Sequence, residues 1–363
     1  MAKKKLKIGV LFGGRSAEHE VSLQSAKNVI DSLDNNKYEV IPIGINKVGK
    51  WLLNEKSNYL LNIDNPKLIK LNKSNDEVSL VVQSSGVLRN VNEMKSHGKL
   101  DVIFPVLHGP YGEDGSIQGL LKLTGIPYVG ASVLGSAVSM DKDVMKRLFK
   151  EAGIPIGKFV VIKLGEKISF KEISKKLGLP MFIKPANMGS SVGIYKVKNE
   201  KEFMVGIKDA FQYDMKVIVE EFIDGREIEC SVLGNESPRA SIPGEIIPNA
   251  EFYSYDSKYI DDKSVCEIPA KLPKDIIKEI QKIAVKVFKT LNCEGMGRVD
   301  FFVKKNGEII VNEINTIPGF TAISMYPKLW EASGLPLAKL LDELINLAIE
   351  RFKKEQKLKT TVE

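Results

Sequence analysis

The segment from Arg298 to Asn315, RVDFFVKKNGEIIVNEIN, can fold back on itself in few ways. Apolar residues flank Asn306-Gly307, the preferred dipeptide for a two-residue hairpin turn. With a regular two-residue turn, Lys305 faces Glu308, and counting outward sets Asp300 opposite Glu313 and Arg298 opposite Asn315. These last four side chains then share one sheet face, because orientation alternates with period two. Carboxylates so placed lie roughly 5 Å apart and repel each other unless a cation sits between them. Hard oxygen ligands of this kind suit magnesium, which takes a few carboxylates together with phosphate oxygens. A solvated polar face with mutually screened charges is the other reading of the same pattern.

The rest of the chain must supply the cores that such a hairpin packs against. A length of 363 residues suggests two or three compact units. With 43% hydrophobic and 27% charged residues, the composition is that of a folded globular chain. The net charge of +7 comes from lysines spread along the chain, with no clustered basic stripe bearing aromatics, so no nucleic-acid partner is expected. Cys230, Cys266 and Cys293 are irregularly spaced, which argues against disulfides and CxxC metal chemistry and fits a reducing cytoplasm. The apolar run Ile8 to Phe12 is far too short to cross a bilayer, and no membrane partner is expected.

From the start, the pattern reads strand (Leu6 to Phe12), Gly13-Gly14, helix (Val21 to Leu33) and a second strand from Tyr38 to Ile43. Residues 47–99 are polar and weakly patterned, an excursion with short strands, before a buried strand at Val102 to Leu107. This alternation predicts an α/β chain opening on a doubly wound, Rossmann-like parallel sheet over residues 1–130. A central unit at 131–219 begins with helical periodicity from Met140 to Ala152, stopped by Gly153-Ile154-Pro155. A third unit, 220–363, holds antiparallel strands, a helix from Asp275 to Leu291, the hairpin, and a closing helix from Leu337 to Phe352.

Three further constellations carry chemistry. Lys184 ends an apolar strand before Gly189-Ser190-Ser191-Val192-Gly193, where small residues let backbone N–H groups approach phosphate oxygens; an ordinary flexible hairpin loop reads the same way. It is not a Walker loop, because no Gly-Lys-Ser/Thr opens a helix. Val217 to Ile223, followed by Glu227, is an extended stretch that can offer backbone groups to a base edge and acids to ribose hydroxyls, or simply a strand entering a turn. Glu18 follows Gly13-Gly14 at the crevice of the first sheet, either as a ligand group or as an exposed first-turn acid favoured by the helix dipole. His108 stands in the same position after another strand, where a lone histidine is commonly structural.

Together these segments resemble the D-alanine:D-alanine ligases of the ATP-grasp superfamily, over most of the chain and in the same order. The resemblance rests on GGRSAEHEVS at 13–22, His108-Gly109 with Gly112-Glu113-Asp114-Gly115, Ser139-Met140-Asp141-Lys142, Lys184-Pro185, 189–193, Tyr255 to Tyr259, 297–300 and 312–319. It implies a three-domain ATP-grasp architecture with ATP between the central and C-terminal units. Lys142, Lys184 and Ser191 would meet the phosphates, Glu220 with the Phe222 and Ile223 backbone the adenine, and Glu227 the ribose. Two Mg2+ (or Mn2+) would be held by Asp300, Glu313 and Asn315. Glu18 would bind the ammonium of the first D-alanine, and Arg298 and the Gly319 N–H would stabilise the oxyanion. His108, Ser324, Met325 and Lys258 would lie at the substrates or the transferred phosphate, and Ser190 and Tyr259 would join Glu18 in a hydrogen-bonded network. Met188 stands where some members carry an acid, and Met325 where leucine is common. A homodimer is expected. The rivals are a D-alanine:D-lactate ligase, which Tyr259 argues against, a D-alanine:D-serine ligase, and a non-catalytic nucleotide-binding regulator, which has no need of an oxyanion-stabilising Arg298.

Overall fold

The computed structural model describes residues 4–63, 65–189, 192–247, 265–359 and 361–362. Its first part runs β1 (Leu6–Gly13), α1 (His19–Ser32), β2 (Tyr38–Ile45), β3 (Trp51–Leu53), β4 (Leu60–Leu61), β5 (Lys70–Leu71), β6 (Val78–Leu80), β7 (Val87–Asn90), β8 (Ser96–Lys99), β9 (Val102–Val106) and α2 (Ser116–Thr124). The sheet order is β3-β2-β1-β9, with β1 parallel to β2 and β9 and only β3 antiparallel. The central strands are apolar on both faces because both are covered. Ile8, Val10 and Phe12 pack toward Leu23, Val29 and Ile30 of α1, while Leu11, Ile43 and Ile103 pack toward Ile117 and Leu121 of α2. The polar 47–99 excursion has a place in this arrangement. Val78, Leu80 and Leu88 of its β6–β8 meander complete the α2-side core, and Tyr59, Leu60 and Ile69 complete the α1 side.

The helix expected from Met140 to Ala152 is α4 (Lys142–Glu151), and a further helix, α3 (Val133–Met140), precedes it. Asp141 separates them: its backbone is extended, and its carboxylate accepts from the N–H groups of Asp143 and Val144 as the N-cap of α4. Next come β10 (Phe159–Lys163), α5 (Phe170–Leu177), β11 (Met181–Pro185), β12 (Tyr195–Val197), α6 (Glu200–Ala210) and β13 (Lys216–Glu221). They form an antiparallel sheet in the order β10-β13-β11-β12, closed by Ile173, Leu177, Phe203 and Ile207 of the two helices.

The last part contains β14 (Arg226–Gly234), β15 (Arg239–Ala240), β16 (Gly244–Ile247), β17 (Val265–Glu267), α7 (Lys274–Thr290), β18 (Gly295–Val303), β19 (Ile309–Asn315), α8 (Met325–Ala332) and α9 (Leu337–Glu355). The sheet order is β17-β16-β14-β18-β19, with α7 and α4 packed on one face through Val287, Phe288, Met145 and Phe149. Helix α9 returns to the first sheet: Leu340, Leu344 and Ile345 enter the α1-side core, and buried Arg351 donates to the carbonyls of Gly130 and Tyr128 at 2.5 and 2.9 Å. No described helix is long and apolar enough to cross a membrane.

Candidate functional site

The loops that follow β1, β9 and β11 meet at Glu18. Gly13 turns the chain out of β1 with φ +89, and a Cβ there would lie 2.2 Å from the Ile45 carbonyl oxygen, so only glycine makes this turn. Glu18 then sits at the head of α1 with 6% exposure, which removes the exposed-acid reading. Its carboxylate lies against Gly109 and Gly189, where a Cβ would come within 2.8 and 3.2 Å of Oε2. An acid of the first sheet thus reaches the small-residue loop of the central sheet. Ser190, Ser191, Lys258 and Tyr259 lie outside the described residues.

Glu113 stands beside this acid. Its Oε2 accepts from the Gly109 N–H at 2.8 Å and its Oε1 from the Ile317 N–H at 3.1 Å. Burial and then the nearby charge of Glu18 push its carboxyl up to about 8. His108 is turned into the protein: Nδ1 is 2.9 Å from the Ile317 carbonyl oxygen and Nε2 is 3.4 Å from Ser25 Oγ. Burial holds the imidazole down at about 4, against the raising effect of the Ile317 hydrogen bond. It is neutral in the fold but takes a proton near pH 6.5 when unfolded, so between these values the unfolded chain binds more protons. Stability therefore falls as pH drops through this window, by up to about 3 kcal/mol from this residue. The gap in melting temperature between the wild type and His108→Gln should narrow from pH 7 to about pH 4.5. A constant gap would mean that the buried imidazole is protonated over the same range as a free one.

The central sheet presents a compact ion triad. Glu220, 7% exposed on β13, accepts Lys146 Nζ and Lys184 Nζ, each at 2.6 Å. Burial opposes its charge, but the two ammonium groups outweigh burial and hold the carboxyl well below the usual carboxylate range. Lys142 donates to the Met188 carbonyl at 2.7 Å and lies 3.5 Å from Glu313. Phe222 is partly exposed, tilted against Phe182 with centroids 6.2 Å apart, and has Lys196 Nζ 4.8 Å from its ring centroid. Lys146 was not singled out in the sequence, although its spacing of four from Lys142 on one helix puts both on the same face.

The hairpin aligns Arg298 with Asn315 and Asp300 with Glu313, as counted, but by a different route. Near the turn the pairs are Val303 with Ile309 and Phe301 with Val311, and Lys304 closes on Glu308, so the turn has three residues. A bulge between Asp300 and Phe301, with Asn312 as the extra residue on β19, restores the register. Arg298 donates to both oxygens of Asp300 at 2.7 Å and reaches Glu229 at 3.0 Å, while Asn315 Nδ2 is 3.1 Å from Asp300 Oδ2. Glu229 also escaped the sequence reading, and its signal was the alternation with Glu227 along β14, whose register sets it beside Asp300. Among the described residues no three His, Cys, Asp or Glu converge as a metal cluster. The oxygen set here is two carboxylates and an amide, compensated by Arg298 and Lys142.

Ser324 caps the turn before α8, with its Oγ 2.8 Å from Thr321 Oγ1 and accepting from the Thr321 N–H at 3.0 Å. Met325 is turned away, buried with Ile246 and Leu329. Gly319 lies against Ser324, whose Oγ would be 2.7 Å from a Cβ.

Residues 7–131 match the family described as D-ala D-ala ligase N-terminus, and residues 148–346 match D-ala D-ala ligase C-terminus. The chain belongs to the D-alanine–D-alanine ligase family. It is 55% identical to a D-alanine–D-alanine ligase of Oceanobacillus iheyensis, over 98% of this chain and 99% of that one. Its fold is similar to that of the D-alanine–D-alanine ligase from Coxiella burnetii, with TM-score 0.84 and 40% identity over 98% of this chain and 97% of that one. A D-Ala:D-Ser ligase from Enterococcus faecalis gives TM-score 0.83 and 41% identity over 95% of this chain and all of that one. A D-alanine–D-alanine ligase from Bacillus anthracis complexed with ATP gives TM-score 0.73 and 32% identity over 97% of this chain and all of that one. The ATP-grasp fold and the ATP-dependent ligase class expected from the motifs are those of these relatives.

Proposed function

We propose that this chain joins two D-alanines in an ATP-dependent reaction through a D-alanyl phosphate, supplying a peptidoglycan precursor. The observation that carries the reading is the buried Glu18 carboxylate lying against Gly189 of the small-residue loop. An amino acid whose ammonium pairs with Glu18 has its carboxylate beside a phosphate cradled by that loop. Lys142 and Lys184 neutralise the ATP phosphates and Ser191 hydrogen-bonds to them, Glu220 and the Phe222 and Ile223 backbone read the adenine, and Glu227 takes the ribose. On nucleotide arrival Lys184 exchanges Glu220 for phosphate, and Lys146 keeps Glu220 compensated.

Asp300, Glu313 and Asn315 fit two magnesium ions (or manganese), because hard oxygen donors share one face there. When bound, the metal neutralises phosphate charge during transfer. Attack of the second D-alanine's amine on the acyl phosphate builds negative charge on oxygen, which Arg298 and the Gly319 N–H stabilise before phosphate leaves. Ser190 and Tyr259 assist loss of the ammonium proton, and Ser324 and Lys258 border the acceptor or the transferred phosphate. A cytoplasmic homodimer with units at 1–130, 131–219 and 220–363 completes the reading.

The Enterococcus relative makes D-serine the acceptor to set against D-alanine. The test is ADP release with D-alanine, L-alanine, and D-alanine paired with D-serine or D-lactate, with products identified by mass. D-alanyl-D-alanine in step with ADP is the expected result. ADP release without a dipeptide, or a dominant mixed product, would overturn it.

A further inference from the structure

The stretch 316–320 joins the metal-face strand β19 to the turn before α8 and has no helix or strand of its own. Its backbone is nevertheless held at two residues, each gripped on both its N–H and its C=O. The Ile317 N–H donates to Glu113 Oε1 at 3.1 Å, and the Ile317 carbonyl oxygen is 2.9 Å from His108 Nδ1. The Phe320 N–H donates to Ser25 Oγ at 3.1 Å, and the Phe320 carbonyl accepts from Asn28 Nδ2 at 2.7 Å. All four partners come from the first sheet's elements, two from α1 and two from the loop after β9. Ser25 Oγ and His108 Nε2 lie 3.4 Å apart, which links the two grips. Between the clamped residues stand Pro318, which has no N–H, and Gly319, so the Gly319 N–H is the one backbone donor in that interval.

We propose that Ser25, Asn28, His108 and Glu113 are positioning residues that fix residues 317 and 320 and thereby aim the Gly319 N–H at the first substrate. This rests on the reading of Gly319 as an oxyanion donor. The physical case is that a donor helps only when preorganised, and an irregular stretch supplies no ladder of its own to hold it. Satisfying four buried backbone groups with four side chains replaces that ladder. It also puts Glu18, at the head of α1, and Gly319 on one connected block, so both ends of the first substrate are gripped only when the first and last parts of the chain are docked.

The test uses the full chain with Asn28→Ala and Glu113→Gln, the latter setting an NH2 donor where one of the two backbone N–H groups now meets an oxygen. Four readouts apply: kcat, KM for Mg-ATP, affinity for a phosphinate mimic of the tetrahedral adduct, and amide exchange over 316–320. A misaimed donor costs on the order of 10²-fold. Both variants are expected to lose kcat and mimic affinity by similar factors of roughly 10 to 100, with KM for Mg-ATP within about twofold and faster exchange at Phe320 or Ile317. Normal kcat and mimic affinity in both, or losses shared equally by Mg-ATP, overturn the proposal. Arg298→Lys serves as the control for the underlying reading. If it leaves mimic affinity intact, the oxyanion assignment fails, whereas intact loss there with unaffected clamp variants removes only the clamp.

Discussion

Replacing Asp300 with alanine should cut ADP release by roughly 10³-fold or more, the scale of losing several kcal/mol of charge stabilisation at a transferring phosphoryl group. The side chain has three jobs in one place. It is a hard oxygen donor opposite Glu313, it takes both forks of Arg298 at 2.7 Å, and it faces the Asn315 amide at 3.1 Å. Arg298 keeps its ion pair with Glu229 at 3.0 Å when Asp300 is removed, so the guanidinium stays anchored and the loss reads mainly on the proposed metal. The check is steady-state ADP release across a magnesium titration, with melting temperature as the control for folding. Near-normal turnover at any magnesium concentration, in a variant that melts with the wild type, would place the metal elsewhere.

Arg298→Lys is the second large effect, expected at 10²- to 10³-fold in kcat, the usual cost of one oxyanion donor. Arginine here binds Asp300 with two nitrogens and Glu229 with one of them, a planar pattern that a single ammonium cannot reproduce. Lysine keeps the charge, so the two partly buried carboxylates remain compensated and the chain should fold. Turnover should fall while KM for ATP moves little, since none of these contacts involves the ion triad around Glu220. A proportional rise in KM for ATP with kcat unchanged would make Arg298 a nucleotide ligand instead.

Much of the face proposed to hold magnesium was legible because it depends on local periodicity. Two-residue alternation forces Arg298 and Asp300 onto one side of β18 whatever surrounds them. The alignment with Glu313 and Asn315 was reached through an assumed two-residue turn, whereas a three-residue turn and a bulge at Asn312 offset each other. Two one-residue irregularities of opposite sense leave the far end of a hairpin in register, and neither has a signature in one strand alone. The start of α4 is sharper than its apolar periodicity shows: the capping bonds of Asp141 set it, with α3 ending one residue before.

Glu18 was legible as a position and not as an environment. Its place after Gly13-Gly14 follows from the strand and helix patterns, but its burial comes from Gly109 and Gly189, ninety and more residues away. Lys146 and Glu229 are the same case, since a charged residue on a helix or strand face shows its partner only when the opposing element is in place. The polar 47–99 stretch is weakly patterned because its buried residues are few and widely separated, and they acquire a core only by covering both faces of the first sheet.

The sequence by itself determined strands β1, β2 and β9, helices α1, α4, α7 and α9, the Gly13-Gly14 turn and the shared face of Arg298 and Asp300, all consequences of steric rules acting over a few residues. Tertiary structure alone decided that Lys146 and Lys184 close on one carboxylate, that α9 returns to the first sheet, and that Ser25, Asn28, His108 and Glu113 grip 316–320. Such contacts satisfy buried charges and backbone groups across hundreds of residues of chain. Nothing in local periodicity encodes them, because the partner of a buried polar group is chosen by how the packed cores dock.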